Sequence, residues 1–133
     1  MNRQIENFVI IYVCVIIYFI STVSFRYLTN RDFKTKNFFY KCNDWCIGHI
    51  INYFLLGYLS PDYIIYAFII GILFEYFEIY VSKYIKYAEG DVLRDGIINF
   101  IGLALGYMTF LLFPNNIDLY SYIEELSSLK LNV

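Results

Sequence analysis

Four long apolar runs, separated by short polar segments, constrain this sequence more than any other feature. The runs cover residues 5–25, 44–60, 62–82 and 95–113. A helix of about 20 apolar residues crosses a hydrocarbon core of roughly 30 Å. Only 17% of the 133 residues are charged and 59% are hydrophobic, whereas a soluble domain is about a quarter charged. The sequence therefore predicts an all-α, polytopic integral membrane protein, with a bundle of four transmembrane helices in residues 1–113 and a short polar tail, 114–133, outside the membrane.

Lysine and arginine are concentrated in the polar segments that follow the first and third runs. These segments carry eight of the ten basic residues: Arg26, Arg31, Lys34, Lys36, Lys41, Lys83, Lys86 and Arg94. Cytoplasmic loops of membrane proteins are enriched in Lys and Arg, so we expect both basic loops in the cytoplasm and both termini on the non-cytoplasmic side. The net charge of −2 gives no basic field for nucleic acid. The expected partner is the lipid bilayer, and the oligomeric state stays open.

The last three runs each place polar and small residues on one helix face, at 100° per residue. In the second run these residues are Asp44, Gly48, His49 and Asn52, opposite a face of Ile47, Ile50, Ile51 and Phe54 that we assign to lipid. In the third they are Ala67, Gly71, Glu75, Glu78 and Ser82. In the fourth they are Asp91, Asp95, Asn99, Gly102, Gly106 and Thr109. Ionisable residues inside a membrane usually face the protein interior, and small residues let helices approach closely. We therefore expect a polar pocket opening toward the cytoplasm, with Gly71, Gly102 and Gly106 at helix contacts and the first run as a packing helix without charge at this depth.

Three stretches resemble, in order and spacing, the motifs of the VanZ-like family, small membrane proteins named for a teicoplanin-resistance determinant. The stretches are DWCIGHIINYFLLGYL, GILFEYFE and DGIINFIGLALG, within residues 44–107. The matching positions are Asp44, His49, Gly71, Glu75, Asp95, Asn99, Gly102 and Gly106. The sequence departs from the family pattern in a longer Asp44–His49 spacing, in Glu78 where the family has Gln, and in the place of the Arg near the last Asp. The resemblance implies a shared polar site and defines no reaction.

Two interpretations of the polar pocket follow from its residue types. His49 with Glu75 or Glu78 forms a candidate catalytic pair for general acid and base chemistry. Alternatively, His49 hydrogen-bonds a carboxylate or Asn99 and locks the bundle. Asp44, Asn52, Asp95 and Asn99 are expected to complete the pocket in a binding or structural role. For Asp44 and Asp95, capping of a helix N-terminus is the structural alternative.

The functional expectation is an intramembrane pocket that binds or processes the polar head of a lipid or lipid-linked molecule. The alternative is a non-enzymatic membrane scaffold or a small protein that conducts protons or cations. Whether the protein is an enzyme stays open at this point.

Cysteine and histidine cluster at the start of the second run. Cys42, Cys46 and His49 are spaced i, i+4 and i+7, so they share a helix face and offer three ligands of the type that zinc takes. No second Cys/His pair occurs in the sequence. We expect the cysteines to pack as small apolar residues, without a metal or other cofactor. Three cysteines in this spacing also make a disulfide framework unexpected.

Overall fold

The computed structural model describes residues 2–29, 44–85 and 91–131. Its elements are α1 Arg3–Thr29, α2 Asp44–Leu59, a 3-10 turn Pro61–Tyr63, α3 Ile64–Ser82, α4 Val92–Leu112 and α5 Leu119–Leu131. The described ranges contain no strand, so the all-helical prediction is confirmed.

Three stretches of the described residues are long and apolar enough to cross a membrane. They are Arg3–Thr29, Pro61–Ser82 and Val92–Leu112. The remaining apolar helix, α2, has 16 residues and is about 24 Å long at 1.5 Å per residue. Its length falls short of the roughly 30 Å hydrocarbon core, so a fourth span at 44–60 stays a prediction.

Contacts between side chains give the direction of each helix. The amide of Asn7, early in α1, donates to the carbonyl of Leu59 at the end of α2, at 3.3 Å, so α1 and α2 are antiparallel. The hydroxyl of Tyr12 donates to the carbonyl of Ala67 at 2.8 Å, and the ring of Phe19 lies 5.4 Å from that of Phe74. These two contacts show that α1 and α3 run in the same direction.

Helices α2 and α4 also run in the same direction, and glycine brings their backbones into contact. A Cβ atom added to Gly106 would overlap the carbonyl oxygen of Phe54, and one added to Gly102 would lie 2.9 Å from the carbonyl oxygen of Ile50. Both glycines therefore occupy the close contact that their spacing predicts. Because α4 covers this side of α2, Ile50 and Phe54 are half-buried, and their assignment to lipid is wrong.

The directions of α1 to α4 define two ends of the bundle. The loop end holds the last turns of α1 and α3 and the first turns of α2 and α4. The terminal end holds the opposite turns, together with α5. The segments 30–43 and 86–90, which carry five of the ten basic residues, connect to the loop end.

Two helices extend beyond the predicted bounds at the loop end. The first helix continues to Thr29 and buries Arg26, whose exposed fraction is 2%. Arg26, which the sequence assigns to the loop after the first run, therefore belongs to the buried side of α1. The fourth helix begins at Val92 rather than at residue 95, because the carboxylate of Asp91 caps it by accepting a hydrogen bond from the backbone N–H of Arg94 at 3.0 Å.

Asn7 organises the terminal end. Its side chain is fully buried; besides Leu59, its amide donates to the carbonyl of Ile117 at 2.9 Å. Its Oδ1 accepts from the N–H of Leu119, also at 2.9 Å. These bonds fasten the segment before α5 to α1, and most of the polar tail forms α5 itself.

Candidate functional site

Three helices bring a histidine and two acids together near the loop end. Potential ligand atoms of His49 in α2, Glu75 in α3 and Asp95 in α4 all lie within 4.8 Å of one another. The Nδ1 atom of His49 is 2.9 Å from Oδ1 of Asn99 and 3.7 Å from Oε1 of Glu75. With Glu78, one turn after Glu75, these residues form what we call the polar cluster: His49, Glu75, Glu78, Asp95 and Asn99.

The polar cluster is almost completely excluded from solvent. Glu75, Glu78 and Asp95 are fully buried, and Asn99 is 1% exposed. The side chain of His49 is 11% exposed. A buried charge is costly unless it is paired, so the partners of the three carboxylates decide what the cluster can do.

Only one of the three carboxylates has an arginine or lysine partner in the part of the chain that the structure describes. Arg94 donates from Nε to Oδ1 of Asp95 at 2.9 Å and from Nη2 to Oδ2 at 3.2 Å. The four carboxylate oxygens of Glu75 and Glu78, and Nδ2 of Asn99, have no hydrogen-bond partner among the described residues. The cluster therefore holds more buried carboxylates than the cations that pair with them.

A small cavity adjoins the cluster between α1, α2 and α3. Its walls include Tyr18, His49, Asn52 and Glu78, and its volume is about 20 Å³. A cavity of that size holds about one water molecule, whereas small-molecule sites measure roughly 300–1,000 Å³. In the part of the chain that the structure describes, the space beside the cluster therefore holds about one water molecule and is smaller than the pocket that the sequence predicts.

The remaining predicted site residues lie at different places. Asn52 is half-buried and lines the cavity. The side chain of Asp44 lies outside the part that the structure describes. Asp95 does not cap α4, because Asp91 does so, and its carboxylate instead belongs to the polar cluster.

The cysteines do not form the three-ligand site that their spacing offered. Cys46 is 4% exposed and is disulfide-bonded, so the expectation that it packs as a small apolar residue outside any disulfide is wrong. A cysteine binds a metal as its thiolate, and a disulfide sulfur is not a thiolate. Cys42 lies outside the described residues, and Cys14 is a free, exposed cysteine of α1.

Tyr53 supports His49 and was not singled out as a site residue by the sequence. Its ring stacks against the imidazole, with ring centroids 6.3 Å apart. A Cβ atom at Gly71 would overlap the hydroxyl of Tyr53, so this glycine leaves room for the tyrosine. The sequence indicates this contact, because Tyr53 comes four residues after His49 and residues four positions apart share a helix face.

An apolar groove runs along the outer side of α3 and α4. It consists of two adjoining parts of about 400 and 350 Å³ that share Phe68 and Phe100. Ala104 lines the part toward the terminal end, and Gly96 lines the part toward the loop end. We call this surface the α3–α4 groove. Gly96 follows Asp95 directly, so the groove and the polar cluster lie at the same level of α4, on helix faces about 100° apart.

No protein-family model, curated protein or solved structure matches this chain. The chemistry of the site is therefore argued from its own residues. Three carboxylates, an imidazole and an amide can exchange protons, hold a cation or bind a polar group.

Proposed function

We propose that this chain is a VanZ-like integral membrane protein of four spans that binds a lipid or lipid-linked molecule beside its polar cluster. The supporting observation is the position of the α3–α4 groove. Glu75 and Asp95 belong to the two helices that form the groove, and Gly96 of the groove lies at the same level of α4 as Asp95 of the cluster. An acyl chain in the groove would bring its head group to the loop end.

The groove suits an acyl chain in its length and its chemistry. Its walls reach from Val92 to Tyr107 of α4, which is about 22 Å of helix at 1.5 Å per residue. Its lining is apolar, with Phe68 and Phe100 at its centre. At its loop end, the side chain of Arg94 is 40% exposed, and an arginine guanidinium binds phosphate oxygens in a bidentate manner.

The fourth span of this proposal is α2. It packs along α4 and exposes Ile47 and Ile51, as a helix bordering lipid would. A span shorter than the hydrocarbon core is accommodated by local thinning of the bilayer, at a modest cost per ångström.

The orientation in this proposal follows from the basic loops. Because they connect to the loop end, the positive-inside rule places that end in the cytoplasmic leaflet. Glu78 lies one turn before the end of α3, and Asp95 lies in the first turn of α4. The polar cluster is then reached by lipids of the inner leaflet, and both termini lie outside.

Mass spectrometry of lipids that co-purify with the chain in mild detergent tests this proposal. We expect one lipid class to be enriched at least about fivefold over the bulk membrane. Ala104→Phe fills the groove and should lower the amount of retained lipid. The control Leu105→Phe changes the next residue, which is 48% exposed and does not line the groove, and it should retain lipid.

The contribution of the polar cluster is tested in the same experiment. Glu75→Gln and His49→Gln should change the head-group class that is retained while leaving the total amount of lipid similar. Retained lipid with the composition of the bulk membrane in the unmodified chain, or an equal loss in Leu105→Phe, would contradict the proposal.

The size of the cavity favours a second candidate function. A space of about 20 Å³ suits a water molecule or an ion rather than a head group, and intramembrane acids often mark proton or cation paths. Proton flux into liposomes that contain the chain, lost in Glu78→Gln, would support conduction over lipid binding.

A further inference from the structure

We propose that His49, Glu75 and Asp95 bind one divalent transition-metal cation, Zn²⁺ or Mn²⁺, in the interior of the bundle. This site goes beyond lipid binding and does not rest on it. Its basis is the arrangement of the three ligands, the charge of their surroundings and an unpartnered carboxylate next to them.

The three ligands come from three different helices and converge on one volume. Their nearest potential ligand atoms all lie within 4.8 Å of one another. Ligands of one zinc ion, each about 2.0–2.2 Å from the metal, lie roughly 3.3–3.6 Å apart in a tetrahedral site, so side-chain rotations that bring these atoms about 1 Å closer together close the site. Oδ1 of Asn99, 2.9 Å from Nδ1 of His49, supplies a further oxygen at the same place.

The net negative charge of the ionised polar cluster favours a divalent cation. Glu75, Glu78 and Asp95 carry three negative charges when ionised, and all three are fully buried. Arg94 compensates one of these charges through its pair with Asp95. A divalent cation would compensate the other two. A monovalent cation would leave one buried charge unpaired, at a cost that proteins avoid.

The surroundings of Glu78 are a separate observation that indicates a bound ligand in the polar cluster. It is fully buried, and neither of its carboxylate oxygens has a hydrogen-bond partner among the described residues. It lines the cavity of about 20 Å³ together with His49. That cavity has room for a water molecule, which would bridge Glu78 to a cation held by His49 and Glu75.

The mixture of donor atoms selects the type of metal. Mg²⁺ and Ca²⁺ prefer sites made entirely of oxygen, whereas this site includes an imidazole nitrogen. Imidazole suits Zn²⁺, and carboxylate oxygen suits Mn²⁺ and is also accepted by Zn²⁺. We therefore expect Zn²⁺ and Mn²⁺ to bind at least about tenfold more tightly than Mg²⁺.

Calorimetric titration of the full chain with ZnCl₂ and with MnCl₂ tests the site. The protein is purified in detergent, its affinity tag is removed and bound metal is stripped with a chelator. One equivalent of metal should bind. Glu75→Gln and His49→Gln should each weaken binding at least about 100-fold, because each removes a direct ligand. The control Glu124→Gln removes an exposed carboxylate of α5 and should bind as the unmodified chain does.

Two results of the titration would overturn the proposal. One is the absence of binding of either metal to an unmodified chain that elutes as a single species in size exclusion. The other is unchanged binding in both cluster variants, which would place the metal elsewhere.

X-ray absorption at the zinc edge of the unmodified chain decides the matter if the variants do not fold. Nitrogen and oxygen neighbours near 2.0–2.2 Å would support the site. A sulfur shell near 2.3 Å would assign the zinc to cysteine and overturn it.

Discussion

The imidazole of His49 lies 2.9 Å from the side-chain oxygen of Asn99, and this contact joins α2 to α4 inside the bundle. The two helices then continue side by side, with Gly102 against the carbonyl oxygen of Ile50 and Gly106 one turn further along. The hydrogen bond of His49 with Asn99 and the close contacts of the two glycines thus form one continuous line of contact between α2 and α4, which we call the seam. The polar cluster and the helix packing depend on the same register of α2 and α4.

Removal of the Asn99 side-chain amide should weaken this seam. Asn99→Leu removes the oxygen that Nδ1 of His49 contacts, and the loss of one hydrogen bond costs about 0.5–1.5 kcal/mol. We expect a lower midpoint of thermal unfolding in detergent, followed by intrinsic fluorescence. Asn52→Leu is the control, because Asn52 is only half-buried and makes no hydrogen bond with the described residues. Equal losses in the two variants would show that the His49 contact contributes little.

Alanine at Gly106 should destabilise the protein, whereas alanine at Gly96 should not. A Cβ atom at Gly106 would overlap the carbonyl oxygen of Phe54, but one at Gly96 would have no atom within 4 Å. Overpacking costs about 1–3 kcal/mol, whereas Gly→Ala in an open helical position gains roughly 0.5–1 kcal/mol. Unfolding with increasing denaturing detergent measures both variants. A Gly106→Ala protein as stable as Gly96→Ala would contradict the close contact of α2 and α4.

Asn7→Ala should loosen the terminal end of the bundle. The change leaves the carbonyls of Leu59 and Ile117 and the N–H of Leu119 without the side chain that bonds them, and we expect a loss of about 1–3 kcal/mol. Limited proteolysis should then cut before α5 faster than in the unmodified chain. Asn116→Ala is the matched control, since Asn116 is exposed and, within the described ranges, accepts a hydrogen bond only from Arg3. Cleavage at the same rate in both variants would argue against the anchoring role of Asn7.

Helical periodicity was enough to predict much of the interior. Ala67, Gly71, Glu75 and Glu78 were expected on one face of the third run, and all four are buried. A pattern of 100° per residue determines which residues share a face. It therefore predicts burial wherever polar or small residues line up within an apolar helix.

The same pattern cannot determine how helices pack together. Ile50 and Phe54 are apolar like their lipid-facing neighbours, and only the approach of the α4 glycines to their backbones makes them half-buried. Arg26 was counted with a basic loop, yet α1 continues past it and buries it. The size of the cavity also depends on distances between helices, which no single-helix pattern contains.

A reporter fused to the C-terminus tests the proposed orientation. Four spans with both basic loops in the cytoplasm place the C-terminus outside, together with the N-terminus. We expect alkaline phosphatase to be active at this position and a cytoplasmic fluorescent reporter to be dark. The opposite result would place the C-terminus inside and would contradict the four-span arrangement or its orientation. If the N-terminus were also inside, the loop end and Cys46 would face an oxidising compartment, where disulfides persist.

The pair of Arg94 and Asp95 should stabilise the fold because Asp95 is fully buried. Arg94→Ala would leave that carboxylate without its cation; removal of one partner of a buried pair costs about 3–5 kcal/mol. Since the side chain of Arg94 is 40% exposed, solvent screening lowers the expected loss to about 1–3 kcal/mol. Arg94→Lys keeps the charge but not the two parallel hydrogen bonds, so its stability should be intermediate.

A double-mutant cycle isolates this pair from the other contacts of Arg94. In the Arg94→Ala background, Asp95→Asn removes the buried charge and should restore at least about half of the lost stability, because the amide has no charge to compensate. Thermal unfolding of the four proteins in one detergent gives the coupling free energy. Additive effects of the two substitutions would mean that Arg94 acts on the fold through other groups, and that the charge of Asp95 is compensated elsewhere in the cluster.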